Sequence, residues 1–329
     1  MIESDPIEVS EDVFRIPLPH PSRNFPSYCY VIRGVKEGAL IDAGWGTTQC
    51  LESLLRALEK LSISPEGIGQ VVITHGHPDH FGLAGEFQKK YGSLVFLHKN
   101  DLKRVKGYFL GIDEHIAQMK WFWKYGVSDE HLNEVVDSNV FKPSINVGEP
   151  DILLTGDEDV VLAGKSLRIR WTPGHTFGHI CLYLEKQNIL FAGDHLLYDI
   201  SPNIGYGIWY DSNPLGDYLD SLDTVQNLDV DLVLPAHGAI FRDMRSRIEQ
   251  IRVHHEKRIE EILTALDGMD KKTAWELARR VSWSPGHFDL LDSFKKRQAI
   301  SETLAHLQYL VATGEVRRNE VDERVFFTK

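Results

Sequence analysis

The chain has 329 residues, 42% hydrophobic and 26% charged, with a formal net charge of -12; this suits a globular protein with a sizeable core, most simply in two domains. No apolar run approaches the roughly 18 residues that cross a bilayer, and the acidic start MIESDPIEVSEDVF is unlike an export segment, so a cytoplasmic setting without a membrane partner is expected. The acid surplus lies before residue 240, because the residues from there on carry 17 Lys and Arg against 15 Asp and Glu; that argues against a dedicated nucleic-acid binder.

Residues 13 to 45 alternate short apolar runs with turns (VFRIPL, YCYVIRG, ALIDAG), which predicts antiparallel strands ending at Asp42-Ala43-Gly44. Leu51, Leu54, Leu55, Leu58 and Leu61 follow at helical spacing. QVVIT reads as a strand, THGHPDHFG as a loop, the residues through about Tyr91 as a helix, and SLVFLH as a strand. Residues 99–150 are helical in texture and aromatic, with Tyr108, Phe109, Trp121, Phe122, Trp123 and Tyr125. They read as an insertion that forms either a lid over an apolar substrate group, together with Trp45 and Trp209, or helix core or a subunit interface. Strands return over residues 151 to 195, and a helix from Tyr218 to Leu228 leads into DLVLPAHG. Two sheets with helices outside bury so many strands most simply.

After about residue 245 the texture changes. Ile248 to Leu266 mark a long helix, Thr273 and Glu276 form a capping box, and a third helix through Phe294, Ile300 and Leu310 stops at Gly314 before a hairpin. The chain therefore divides into residues 1–245 and 246–329. Lys295, Lys296 and Arg297 are expected on a solvated helix face, with docking or homodimerisation as the job of the tail. Cys29, Cys50 and Cys181 fit neither a disulfide framework nor a cysteine zinc site, and read as reduced, mostly buried thiols.

The loop after QVVIT carries the chemistry. His75 and His77, two apart, can chelate one ion, while Pro78 turns the chain so that Asp79 and His80 can face another. Later strand ends add His175 and His179 (TPGHTFGH), Asp194 (LFAGDH) and His237 (LVLPAHG), each beside Gly or Pro, where tight turns bring distant segments to one rim. Only one of His175 and His179 is needed as a ligand, which leaves His179 to orient a neighbour or pack. His195 could face the substrate or point away.

These residues resemble the metallo-beta-lactamase superfamily, with its HxHxDH loop and later His, Asp and His in the same order, over about residues 10 to 245. The resemblance implies an α/β fold, an αββα sandwich with a dinuclear metal site at the sheet edges. It implies that His75, His77 and His175 bind one metal, that Asp79, His80 and His237 bind the other, that Asp194 bridges them, and that Asp42 orients a ligand histidine. The chain looks most like the glyoxalase II branch, without that enzyme's glutathione-gripping residues after the GD motif. Its tail resembles the winged-helix tail of a smaller branch, some members of which are reported to cut RNA.

Two divalent cations, with Zn2+ expected and Mn2+ or Fe2+ suited to the same donors, would make a hydroxide nucleophile available near neutral pH, with Asp79 taking a proton from the attacking water. The expected substrate is a small, partly apolar ester, thioester or lactone; the alternative is a phosphodiesterase or endoribonuclease that holds nucleic acid with the tail.

Overall fold

The computed structural model describes residues 5–21, 26–107, 112–136, 148–268, 271–284 and 286–329. The first sheet takes its seven strands in chain order: β1 (Ile7–Ser10), β2 (Val13–Leu18), β3 (Ser27–Ile32), β4 (Gly38–Ile41), β5 (Ile68–Val72), β6 (Leu94–His98) and β7 (Ile152–Leu154). Pairing is antiparallel as far as β4 and parallel from there. The second sheet runs in the order β12-β11-β10-β9-β8, from β8 (Glu158–Leu162), β9 (Lys165–Trp171), β10 (Ile180–Leu184), β11 (Ile189–Gly193) and β12 (Leu232–Pro235). Within it only β11 and β12 are parallel.

Helices cover both outer faces. In the first half they are α1 (Thr48–Lys60), α2 (Pro78–Phe81) and α3 (Ala84–Tyr91), and between β6 and β7 come α4 (Leu102–Gly107), α5 (Ile112–Lys124) and α6 (Asp129–Val135). Then α7 (Pro214–Gln226) joins β11 to β12, and α8 (Met244–Leu266), α9 (Ala274–Ala278) and α10 (Ser293–Thr313) precede the hairpin β13 (Arg317–Val321) and β14 (Arg324–Thr328). Local signals set these bounds. Thr47 Oγ1 accepts from Cys50 N to open α1, Thr273 and Glu276 complete a capping box at α9, and Gly314, at φ 82, closes α10. Helix α7 begins four residues earlier than the apolar spacing predicts, because Asn213 caps Gly216 N and Pro214 takes the first helical position.

Three apolar layers separate the sheets and helices. Leu54, Leu58 and Phe87 pack on the outer face of the first sheet with Leu40 and Val71. Ile32, Ile41, Val72, Ile169, Leu182 and Phe191 meet between the sheets. Leu190 and Val233, on the other face of the second sheet, meet Leu222 of α7 and a large cluster from α8, α9, α10 and β14. The result is the four-layer αββα sandwich. Helix, helix, helix and hairpin follow residue 245 in the predicted order, and their core is continuous with that of the second sheet.

The aromatic insertion joins the same cluster. Phe122 and Tyr125 are buried there, Tyr125 Oη donates to Tyr206 Oη at 3.2 Å, and the Arg324 guanidinium of β14 lies 4.5 Å from the Trp123 ring. For these residues the structure favours helix core over a lid, because their rings face the C-terminal elements; Tyr108 and Phe109 lie outside the described residues. Of the basic run opening α10, Lys296 is buried and pairs with Glu134 of α6, which departs from the expected solvated face. All three cysteines are buried free thiols. Among the described residues no helix is long and apolar enough to cross a membrane.

Candidate metal centre

The site lies where β4, β5, β9, β11 and β12 reach their C-terminal ends, the edge at which sheets of this kind present ligands. All seven residues singled out as ligands converge there. Three groups have ligand atoms within 4.8 Å of one another: His75, His77 and His175; His75, His80 and Asp194; and Asp79, His80 and His237. His77 Nδ1 lies 2.9 Å from His75 Nε2 and 3.0 Å from His175 Nε2. Asp194 reaches both halves, with Oδ2 3.4 Å from His175 Nε2 and Oδ1 3.5 Å from His237 Nε2.

The hydrogen bonds behind the rings fix which nitrogen faces the centre. His80 Nδ1 donates to Asp42 Oδ2 at 2.8 Å, and His175 Nδ1 donates to the Asn203 carbonyl at 2.8 Å. The Thr74 hydroxyl gives its one proton to the Asp42 carboxylate and so must accept from His75 Nδ1 at 3.1 Å. Each of these three rings thus carries a proton on Nδ1 and turns Nε2 inward, as a lone pair in the neutral rings of His75 and His175. Asp42 can reach both Thr74 and His80 because β4 ends in a left-handed turn at φ 61, which Asp tolerates better than most residues.

His179 does not join the ligand groups. Its Nε2 accepts from Asp194 N at 3.1 Å, which leaves the proton on Nδ1 facing Thr172 Oγ1 at 2.8 Å, so the ring orients the backbone that carries Asp194. Gly193 precedes that turn at φ 50, and a Cβ there would stand 2.7 Å from His179 Nε2. His195 is fully buried against the Tyr218 ring and does not reach the rim.

Electrostatics divide the centre in two. Burial, reinforced by the neighbouring rings, holds His75, His77 and His179 well below the ordinary histidine range, hence neutral. Burial also lowers His175, although Asp194 pulls the other way. For His80 burial opposes charge, but Asp42, Asp79 and Asp194 outweigh it and lift the ring to about 10. His237 is raised against burial by Asp194 and Asp79. Burial alone would raise Asp79, yet His80 and His237 hold it well below the carboxylate range.

A metal ion fits this set. His80 Nε2 and Asp194 Oδ1 are buried, 3.7 Å apart, and have no hydrogen-bond partner among the described residues; both are ligand atoms. Neutral imidazole with carboxylate suits Zn2+ and its first-row neighbours.

Sequence reading missed three contributors. Thr74 acts through a hydroxyl common in strands, and Asn203 through a backbone carbonyl that leaves no trace in residue type. Arg104 Nη1 sits 3.4 Å from His77 Nε2, brought there by the turn after β6.

Comparisons with known proteins agree with this geometry. The family model described as "Metallo-beta-lactamase superfamily" matches residues 22–237. A solved metallo-beta-lactamase family protein of Thermus thermophilus, TTHA1429, is 32% identical, with a TM-score of 0.82 over 98% of this chain and 100% of that one. The probable metallo-hydrolase YqjP of Bacillus subtilis is 26% identical over 97% of this chain and 98% of its own length. The lactamase-like protein adaB of Aspergillus niger is 28% identical over 79% of this chain, and the match spans 65% of that protein's length.

Proposed function

This chain belongs to the metallo-beta-lactamase superfamily, and from that premise we propose that it is a metal-dependent hydrolase that uses two divalent cations, Zn2+ first among them, to cleave a small, partly apolar ester, thioester or lactone. The observation that carries this reading is the pair of orphaned ligand atoms on His80 and Asp194, which would lie between two donor sets. His75, His77 and His175 would hold one cation, Asp79, His80 and His237 the other, and Asp194 would touch both. When bound, such a pair supplies an acidified water and a Lewis-acid contact for the carbonyl oxygen.

The chain's own residues do the rest. Asp42, Thr74 and the Asn203 carbonyl keep the Nε2 atoms of His80, His75 and His175 aimed inward. Asp79, with Oδ2 3.3 Å from His237 Nε2, is placed to accept the proton of an attacking water and pass it to the leaving group. His179 keeps Asp194 turned toward both halves.

A small-molecule substrate fits better than nucleic acid, because the net charge is -12 and Lys296 is neutralised by Glu134. We further propose that the helices and hairpin after residue 245 form a winged-helix-like unit whose task is docking or homodimerisation.

The test is turnover of a thioester, an aryl ester, a lactone and an activated phosphodiester by Zn2+- and Mn2+-loaded protein, with Asp194→Ala as control. Carboxylic turnover lost in the control supports the reading. Cleavage of the phosphodiester alone would transfer the chain to the nuclease alternative, which salt-sensitive RNA binding would then have to accompany.

A further inference from the structure

A second buried carboxylate serves the half of the centre that Asp42 reaches only indirectly, through Thr74 and His75. Asp101 lies in the turn between β6 and α4 and is 1% exposed. Its Oδ2 accepts from Gly76 N at 2.6 Å and from Thr176 Oγ1 at 2.7 Å, and its Oδ1 accepts from Gly178 N at 2.8 Å. Among the described residues it forms no ion pair with Lys or Arg, so those three donors offset the cost of burying its charge.

The identity of the donors gives the contact its meaning. Gly76 separates His75 from His77, and Thr176 and Gly178 flank the turn between His175 and His179. One loop leaves β5 of the first sheet and the other leaves β9 of the second. The Asp101 carboxylate clamps the two together from behind, and on the near side the rings of His77 and His175 meet at 3.0 Å.

The two glycines follow from the same contact. A Cβ on Gly178 would stand 2.6 Å from Asp101 N and 2.8 Å from its Cβ, and one on Gly76 would stand 3.2 Å from Asp101 Cβ. Glycine at both positions lets the carboxylate approach the backbone closely enough to accept from it.

We propose that Asp101 is a positioning residue that sets the separation of His77 and His175, and through it the metal affinity of the His75, His77 and His175 group. Asp42 holds His80 of the other group directly, and touches the His75, His77 and His175 group only through Thr74. This rests on the reading of those histidines as ligands. Replacing Asp101 by Asn turns one acceptor into a donor that faces an N–H or O–H donor, which pushes the loops apart without removing any ligand.

The experiment uses the full chain stripped of metal, as parent, Asp101→Asn, the near-isosteric Thr176→Val, and His237→Ala to identify the other equivalent. Metal-free melting reports folding. Zn2+ affinity for each equivalent is read by chelator competition, and ligand geometry by the visible absorption of the Co2+ form. Asp101→Asn should weaken one equivalent by about 10- to 100-fold and change its Co2+ spectrum, leaving intact the equivalent that His237→Ala loses. Thr176→Val should weaken the same equivalent by less. If Asp101→Asn binds both equivalents as tightly as the parent with an unchanged Co2+ spectrum, the proposal is wrong, even if the variant melts lower. A parent that binds no metal at these residues would instead defeat the ligand reading itself, and the proposal with it.

Discussion

Asp42 Oδ2 and His80 Nδ1 lie 2.8 Å apart with both side chains almost wholly buried, and the same carboxylate accepts from Thr74 N and its hydroxyl. Asp42→Asn keeps the volume but offers one acceptor in place of two. We expect metal affinity to fall by about 10- to 100-fold, measured by chelator competition, with the metal-free protein still folded. Unchanged affinity would mean that packing alone orients His80.

Metal removal should cost stability as well as activity. The centre gathers His75 and His77, held neutral by burial, with Asp79, held ionised by His80 and His237, and a cation bound only by the folded state stabilises it by mass action. At free metal about 100 times the dissociation constant the gain is about 2.7 kcal/mol. Thermal melts with added Zn2+ and with excess chelator should therefore differ by several degrees; superimposable melts would argue against a bound cation.

Glu302 of α10, which is not among the ligand groups, gives a separate pH signature. Burial raises it to about 7, and the Arg258 guanidinium 3.5 Å away offsets only part of that rise. In the unfolded chain a glutamate titrates near about 4.3, so between the two values the folded protein retains a proton that the unfolded chain has released. The stability this group contributes is fully present below the unfolded value and is lost as pH rises through about 7. Glu302→Gln, neutral throughout, should gain on the parent by about 1 to 3 kcal/mol between pH 5 and pH 8 in urea titrations. Parallel stability curves for the two proteins would refute the assignment.

Phe122 tests the role of the insertion. Its ring is 3% exposed within the cluster of the C-terminal helices. Phe122→Ala should destabilise the protein by about 3 to 5 kcal/mol while changing the Michaelis constant little. A raised Michaelis constant for bulky substrates at unchanged stability would return these aromatics to the substrate side.

How far the sequence could be read depended on whether each residue's role was local. His75, His77, Asp79 and His80 fall in one short loop, and His175, Asp194 and His237 each follow an apolar strand, so residue type and neighbours suffice to mark them. Asp42 came only through family resemblance, since an Asp ending a strand has many uses. The Asn203 carbonyl and Asp101 act across long sequence separations on backbone groups, which no local pattern records. The strands were legible from alternation and flanking turns. The destination of α8 to α10 was not, because one apolar stripe can serve an independent domain or an outer layer; here it joins the second sheet's cluster.

That shared cluster bears on how the protein is made. Phe327 is fully buried and pairs through its backbone with Lys272, while Trp275 N bonds to the Tyr125 carbonyl 150 positions earlier in the chain. On a ribosome, the first sheet and its helices can assemble while synthesis continues, but the cluster on the outer face of the second sheet, begun by α7, stays incomplete until the residues up to Phe327 have emerged. Long-range closure of this kind is slow. The nascent chain therefore exposes apolar surface until the C-terminal hairpin has emerged, and chaperone dependence during expression should be greatest in that interval.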